Sequence, residues 1–160
     1  MNTSTDLCKR LANVLQSKDW MLATAESCTG GLIAAACTDL AGSSQWFDRG
    51  FVTYSNVAKS ELLSIPTELI IQHGAVSQAV ALAMALGACM HAEAAVSVAV
   101  TGIAGPDGGT PEKPVGTVWL AWCIDGVIDA ERQQFTGDRQ AVREATVLHA
   151  LTGLLARIPS

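Results

Sequence analysis

Hydrophobic positions along this chain recur with two periods, and the change from one to the other outlines the elements. Between about residues 3 and 18, Leu7, Leu11, Val14 and Leu15 return at three- and four-residue spacing, with Lys9, Arg10 and Gln16 opposite them. That spacing predicts an amphipathic helix. The short apolar run from Met21 to Ala25 predicts a buried strand, which ends in Glu26-Ser27-Cys28-Thr29-Gly30-Gly31. A helical pattern then runs from about Leu32 to Leu40. Trp46 to Tyr54 has the aromatic and β-branched content of a second strand. Ser55 or Asn56 caps a short helix to about Leu63, and Pro66 and Thr67 open another. Ser77 stands as the N-cap of a long Ala-rich helix ending near His91.

The second half alternates more tightly. Ala94 to Thr101 predicts a central strand, and it runs into the glycine-dense segment Gly102-Ile103-Ala104-Gly105-Pro106-Asp107-Gly108-Gly109-Thr110. Val115 to Ile124 and Val127 to Phe135 predict two strands joined at Asp125-Gly126, a strong two-residue hairpin signal. A last helix from about Asp138 to Arg157 turns Val142, Ala145, Leu148, Leu151, Leu154 and Leu155 inward. Strand, small-residue turn and helix in succession make an α/β unit. With about five strands, no repeat and no linker, the pattern predicts a single α/β domain over residues 1–160.

Composition narrows the function more than the fold. The chain has 160 residues, 49% of them hydrophobic and 16% charged, which argues against disorder and fits one core. Its net charge of -5 and pI near 5.0 have the wrong sign for a nucleic-acid partner. A local basic pocket for one small anion stays open. No run of about 20 apolar residues predicts a membrane-spanning helix. The polar stretch from Met1 to Lys9 lacks an apolar export core, so a cytoplasmic protein is expected. Five scattered cysteines without a Cys-x-x-Cys pair predict reduced thiols in the core and no zinc site. The many small apolar residues, Ala above all, predict close approach of helices to strands and are compatible with a homodimer.

Three segments carry candidate chemistry. Ser27 lies between a strand end and a helix start, where its hydroxyl can face outward. The N–H groups of Thr29, Gly30 and Gly31 can there stabilise an oxyanion or a phosphate. A plain helix cap by Ser27 or Thr29 explains the same residues. Lys59, one of four lysines, follows Tyr54 across a strand-to-helix turn. A lysine kept neutral by burial can serve a serine as base, with Tyr54 relaying the proton or holding the amine. A solvated helix lysine is the alternative. The loop from Thr101 to Thr110 can form an anion nest or a simple connection, and it lacks the Walker A spacing.

Other residues are weaker candidates. Cys28 is a rival nucleophile whose place at a helix start predicts a lowered thiol pKa. His73, His91 and His149 form no ligand pair, so no metal is assigned. Arg139 and Arg143, one turn apart, are read on spacing as a solvated surface pair with Glu144 and Asp138, with a phosphate-binding face as the alternative.

Taken in order, four motifs carry a resemblance. They are Thr24-Ala25-Glu26-Ser27-Cys28-Thr29-Gly30-Gly31, then Phe51-Val52-Thr53-Tyr54-Ser55-Asn56 with Lys59. Thr101-Gly102-Ile103-Ala104-Gly105-Pro106-Asp107-Gly108-Gly109 with Lys113-Pro114-Val115-Gly116-Thr117-Val118 follows, and Phe135-Thr136-Gly137-Asp138-Arg139 with Arg143 closes the set. The chain resembles the CinA C-terminal domain family over nearly its whole length. That resemblance implies a three-layer αβα sandwich with a mixed, mostly parallel sheet. It implies hydrolysis of the carboxamide of nicotinamide mononucleotide to nicotinic acid mononucleotide and ammonia, in pyridine nucleotide salvage, without metal or organic cofactor. Ser27, Tyr54 and Lys59 match its catalytic set. Cys28, Thr29, Gly30, Gly31, Thr101, Gly102, Ala104, Gly105 and Arg139 are the substrate-binding residues expected from it. Larger relatives carry a further N-terminal domain, which this chain is expected to lack. A nucleotide-binding module without turnover is the competing reading.

Overall fold

Strand β1 (Leu22–Glu26) is buried along its whole length and organises the sheet from within. The coordinates are a computed structural model and describe residues 3–160. β1 pairs in parallel with β2 (Phe47–Val52) on one side and with β3 (Val96–Gly102) on the other. β4 (Thr117–Ile124) then runs antiparallel to β3, and β5 (Val127–Gln134) antiparallel to β4, giving the order β2-β1-β3-β4-β5. Four strands share one direction and β4 opposes them, so the sheet is mixed and mostly parallel as expected. The antiparallel pair follows from the short link between β4 and β5, because a parallel return needs a crossover of a dozen residues or more. Asp125 and Gly126 take φ of 49° and 86°, the left-handed pair that a two-residue hairpin turn demands.

Side-chain size separates the two faces of the sheet. Leu22, Val96, Val98, Val100, Leu120 and Trp122 face one layer, formed by α1 (Ser4–Lys18), α2 (Leu32–Thr38) and α6 (Arg139–Arg157). Ala23, Ala25, Ala99 and Ala121 face the other, where α5 (Gln78–Ala92) lies across the strands with α3 (Asn56–Leu63) and α4 (Thr67–His73) beside it. Alanine on both sheet and helix lets α5 approach closely, and Ser97 Oγ donates to the Ala85 carbonyl at 2.6 Å. The three-layer arrangement is therefore written in the alternation of bulky and small residues along β1, β3 and β4.

Boundaries differ from the sequence reading by at most two residues, within the usual fraying of element ends. One inward assignment fails. Leu148 is 38% exposed and borders a surface groove with Leu32 and Ala35, while Thr146, Val147, Ala150 and Gly153 join Val142, Leu151 and Leu154 in the core. Ala145 and Leu155 are half-buried. The four-residue step from Val142 through Thr146 to Ala150 follows the helix more closely than a reading that favours every leucine.

Trp122 fixes how α6 seats on the sheet. Its indole Nε1 donates to the Ala150 carbonyl at 3.1 Å, and the Arg157 guanidinium lies 3.7 Å over its ring. Gly153 makes the approach possible, since a Cβ there would stand 2.2 Å from the indole. Gly153→Ala is therefore expected to cost about 1–3 kcal/mol by overpacking. Chemical denaturation reads this as a lower midpoint, and an unchanged midpoint contradicts the account.

Candidate active site

Ligand crevices in open α/β sheets form beyond the carboxyl ends of strands where the chain order reverses. Here that point lies at β1. The chain leaves β1 through α2 on one face to reach β2, then leaves β2 through α3, α4 and α5 on the other face to reach β3. The three segments singled out by sequence therefore meet at one edge: Ser27 after β1, Thr53 to Lys59 after β2, and Thr101 to Gly105 at the end of β3. They line a cavity of about 290 Å³.

Lys59 is the central group. Ser55 caps α3, its Oγ accepting the Ala58 N–H at 3.0 Å, and Lys59 sits one turn further on. Although a lysine, it is only 1% exposed. Its Nζ lies 3.0 Å from Ser27 Oγ, 3.0 Å from the Thr53 carbonyl and 3.3 Å from the Tyr54 carbonyl. Among the described residues no carboxylate pairs with it. Burial lowers its pKa from the ordinary lysine value, favouring the neutral amine.

The geometry assigns the amine's hydrogens. A neutral amine has two N–H groups and one lone pair, and carbonyls can only accept. Thr53 and Tyr54 take the N–H groups, so the lone pair faces the Ser27 hydroxyl. When the amine is protonated, its third N–H points at Ser27 Oγ, and the hydroxyl can turn to the Tyr54 carbonyl at 3.4 Å. The arrangement places an amine whose proton affinity burial lowers directly on a serine hydroxyl.

The turn after Ser27 departs from expectation. Ser27 N–H donates to the Val100 carbonyl at 3.1 Å and Gly30 N–H donates to the Ser27 carbonyl at 3.0 Å, closing a turn over residues 27–30. Thr29 is fully buried, and neither it nor Gly30 or Gly31 lines the cavity. These three residues therefore stand outside the wall of the cavity that holds Ser27 and Lys59. The donors of α2 go instead to Glu26, whose carboxylate accepts from Thr29 Oγ1 at 2.5 Å, Ile33 N–H at 2.9 Å and Ala34 N–H at 3.0 Å. Sequence reasoning missed this cap because Glu26 lies seven and eight residues before its backbone partners, outside any local capping pattern. The Cys28 N–H, on a residue of the cavity wall, has no acceptor among the described residues.

Cys28 is 5% exposed, and burial pushes its thiol up to about 12, the reverse of the lowered value expected from a helix start. Desolvation outweighs the helix terminus, whose donors Glu26 already occupies. A protonated thiol is a poor nucleophile.

Tyr54, the chain's only tyrosine, serves through its backbone. Its side chain is 61% exposed, and its phenol oxygen accepts from Arg139 at 3.2 Å, so the phenol neither holds Lys59 nor relays the Ser27 proton in this arrangement. Arg139 also donates to the Gly105 carbonyl at 2.8 Å and spans the cavity from the ring to the glycine loop. Thr101, Gly102, Ala104 and Gly105 line the cavity as expected. Gly105 is obligatory at its φ of 82°, where a Cβ would come 2.4 Å from Val115. Asn56 and Asp107 complete the polar wall; both stand inside the recognised motifs, but nothing in their spacing singled them out. Arg143 donates to the Cys28 and Thr29 carbonyls at 3.1 Å each. The reading as a solvated pair is thereby corrected in part: Arg143 is half-buried on the turn, Arg139 is exposed at the cavity edge, and among the described residues neither pairs with Glu144 or Asp138. Among the described residues no cluster of His, Cys, Asp and Glu could hold a metal ion.

A buried lysine amine on a serine hydroxyl at a strand-to-helix turn defines a candidate serine hydrolase site. A model of the CinA C-terminal domain matches residues 4–158. The nicotinamide-nucleotide amidohydrolase PncC of Enterobacter agglomerans is 55% identical over 151 residues, covering 93% of this chain and 92% of that protein. Its counterpart from Pseudomonas putida is 54% identical over 155 residues, 97% of each. The crystal structure of competence/damage inducible protein CihA from Agrobacterium tumefaciens superposes with a TM-score of 0.93 at 47% identity, over 96% of this chain and 94% of that one. The chain belongs to the CinA C-terminal domain family.

Lys59 also makes stability depend on pH. Its folded pKa lies below the unfolded value of 10.5, so between the two the unfolded chain binds more protons, and stability rises with pH across that window. Wild type is expected to gain stability relative to Lys59→Met as pH rises towards 10.5. Paired urea titrations measure it, and a pH-independent difference contradicts the burial argument.

Proposed function

We propose that this chain hydrolyses the carboxamide of nicotinamide mononucleotide to nicotinic acid mononucleotide and ammonia, with Ser27 as nucleophile and Lys59 as general base. The chain is an amidohydrolase, in keeping with curated relatives at 48–55% identity over nearly its whole length. The observation that carries the assignment of roles is the 3.0 Å contact between the buried Lys59 amine and Ser27 Oγ. A module that only binds a nucleotide has no use for a desolvated amine placed on a serine.

In the reaction, the Lys59 lone pair takes the Ser27 proton as Oγ attacks the amide carbon. The new C–O bond places charge on the former carbonyl oxygen, which the Cys28 N–H is positioned to receive. The ammonium of Lys59 then returns its proton to the departing nitrogen, the C–N bond breaks and ammonia leaves. Water gives a proton to the same amine and attacks the acyl-serine; the C–Oγ bond breaks, the Lys59 ammonium returns that proton to Ser27 Oγ, and the acid leaves and ionises to the carboxylate. Only groups of this chain and water take part.

Substrate recognition falls to the remaining walls. Arg139 supplies the cationic group of the cavity edge for the nucleotide phosphate, and Thr101, Gly102, Ala104 and Gly105 carry the loop against which the ring and ribose lie. The exposed Tyr54 ring offers a stacking face. A local arginine meets an anion even though the chain carries a net charge of -5. Among the described residues no helix is long and apolar enough to cross a membrane, and the five free thiols suit the reducing cytoplasm, where this nucleotide salvage would operate.

Ammonia release from nicotinamide mononucleotide tests the reading. Ser27→Ala is expected to lose at least about a thousandfold in kcat, in line with loss of a serine nucleophile elsewhere. Lys59→Arg is expected to fall comparably, because a guanidinium stays protonated and cannot act as base. An inactive wild type sinks the amidase assignment. An active Ser27→Ala beside a dead Cys28→Ala transfers the nucleophile to Cys28.

A further inference from the structure

Arg143 stands early in α6, yet its guanidinium reaches across the molecule to the nucleophile turn. Nε donates to the Cys28 carbonyl and NH2 to the Thr29 carbonyl, each at 3.1 Å. Among the described residues it makes no ion pair, so its charge is directed at the turn alone. It does not line the cavity that holds Ser27 and Lys59. It lies close behind Gly30, whose φ is 60° and whose Cβ, if present, would be 3.5 Å from the guanidinium.

Three consecutive peptide planes follow the Ser27 Cα, and each is held at its carbonyl. Gly30 N–H holds the first, which carries the Cys28 N–H, and Arg143 holds the second and third. A trans peptide is planar with its C=O and N–H opposed, so a partner on the carbonyl fixes the direction of the N–H. The planar fork of arginine suits two adjacent carbonyls, whereas lysine offers a single point charge. Glu26 pins the far end of the same segment at Ile33 and Ala34.

We propose that Arg143 is a positioning residue for the amidase reaction: it clamps the turn so that Ser27 Oγ stays on Lys59 and the Cys28 N–H faces the developing oxyanion. This rests on Ser27 being the nucleophile. The guanidinium lies outside the cavity that holds Ser27 and Lys59 and acts through the turn. Its effect is greatest where charge develops on the oxygen, so its loss falls on kcat and leaves KM in place.

The test compares wild type, Arg143→Met and Arg143→Lys on nicotinamide mononucleotide and on its thioamide analogue, with melting temperatures as a check on folding. Oxygen accepts a hydrogen bond better than sulfur, so an aligned N–H donor makes the enzyme prefer the amide. Both variants are expected to lose about tenfold or more in kcat with KM within about twofold, and their amide-over-thioamide preference is expected to shrink. Added guanidinium ion is expected to restore part of the Arg143→Met rate. Amide hydrogen exchange without substrate is expected to quicken at Cys28 to Gly30 in Arg143→Met and to stay unchanged in β4. Wild-type kcat in the variants, a loss confined to KM, or unchanged exchange at Cys28 to Gly30 overturns the proposal. The exchange measurement needs no turnover, so it judges the clamp even where the ammonia assay rejects the amidase reading.

Discussion

A lysine amine enclosed by carbonyl oxygens and a serine hydroxyl is the constraint on which this site depends. Burying an ammonium without a counter-charge is costly, and proteins commonly answer by releasing the proton. At Lys59 burial pushes in that direction. A carboxylate beside the amine would hold it charged, whereas the carbonyls of Thr53 and Tyr54 orient it and leave the lone pair on Ser27. Meeting those distances requires the end of β2, the first turn of α3 and the end of β1 to converge within a few ångströms. The parallel pairing of β1 with β2 and the Ser55 cap on α3 produce that convergence.

The turn after Ser27 depends on a second constraint, the disposal of its backbone groups. A strand that passes directly into a helix leaves several N–H groups and carbonyls unpaired. Glu26 takes N–H groups on the helix side and Arg143 takes carbonyls on the other. The chain thus meets a local polar demand with two distant-acting side chains of opposite charge. The alanine-rich face under α5 plays the complementary part, letting the helical layer press against the sheet with few large side chains between them.

Much of the fold was legible because it rests on local rules. Hydrophobic periods, apolar runs, β-branched content and capping residues together located the six α-helices and five strands of the described residues, and Ser55, Ser77 and Asp138 capped their helices as their side-chain chemistry predicts. Asp125-Gly126 made its hairpin for the same reason. The site was legible in part. Ser27, Lys59 and the loop from Thr101 to Gly105 were found through motifs, and the cavity unites them. The reading failed where two long-range effects compete. Helix position alone argued for a reactive Cys28, but burial raised its pKa. Glycine spacing argued for an anion site at Gly30 and Gly31, but Gly30 N–H closes the turn on the Ser27 carbonyl and neither glycine lines the cavity.

By itself the amino-acid sequence determined the elements, the small and large faces of the strands, and the family, since these depend on residue order and spacing within a few turns. Tertiary structure decided which atoms of the motif residues meet. Tyr54 contributes a carbonyl to Lys59 and a phenol to Arg139, two roles on opposite sides of one residue that no spacing separates. Arg143 meets Cys28 across 115 residues of chain, and Lys59 loses its solvent only when two strands and a helix close around it. Proton affinity and peptide orientation depend on what surrounds a group in space, and that is set only when distant segments pack.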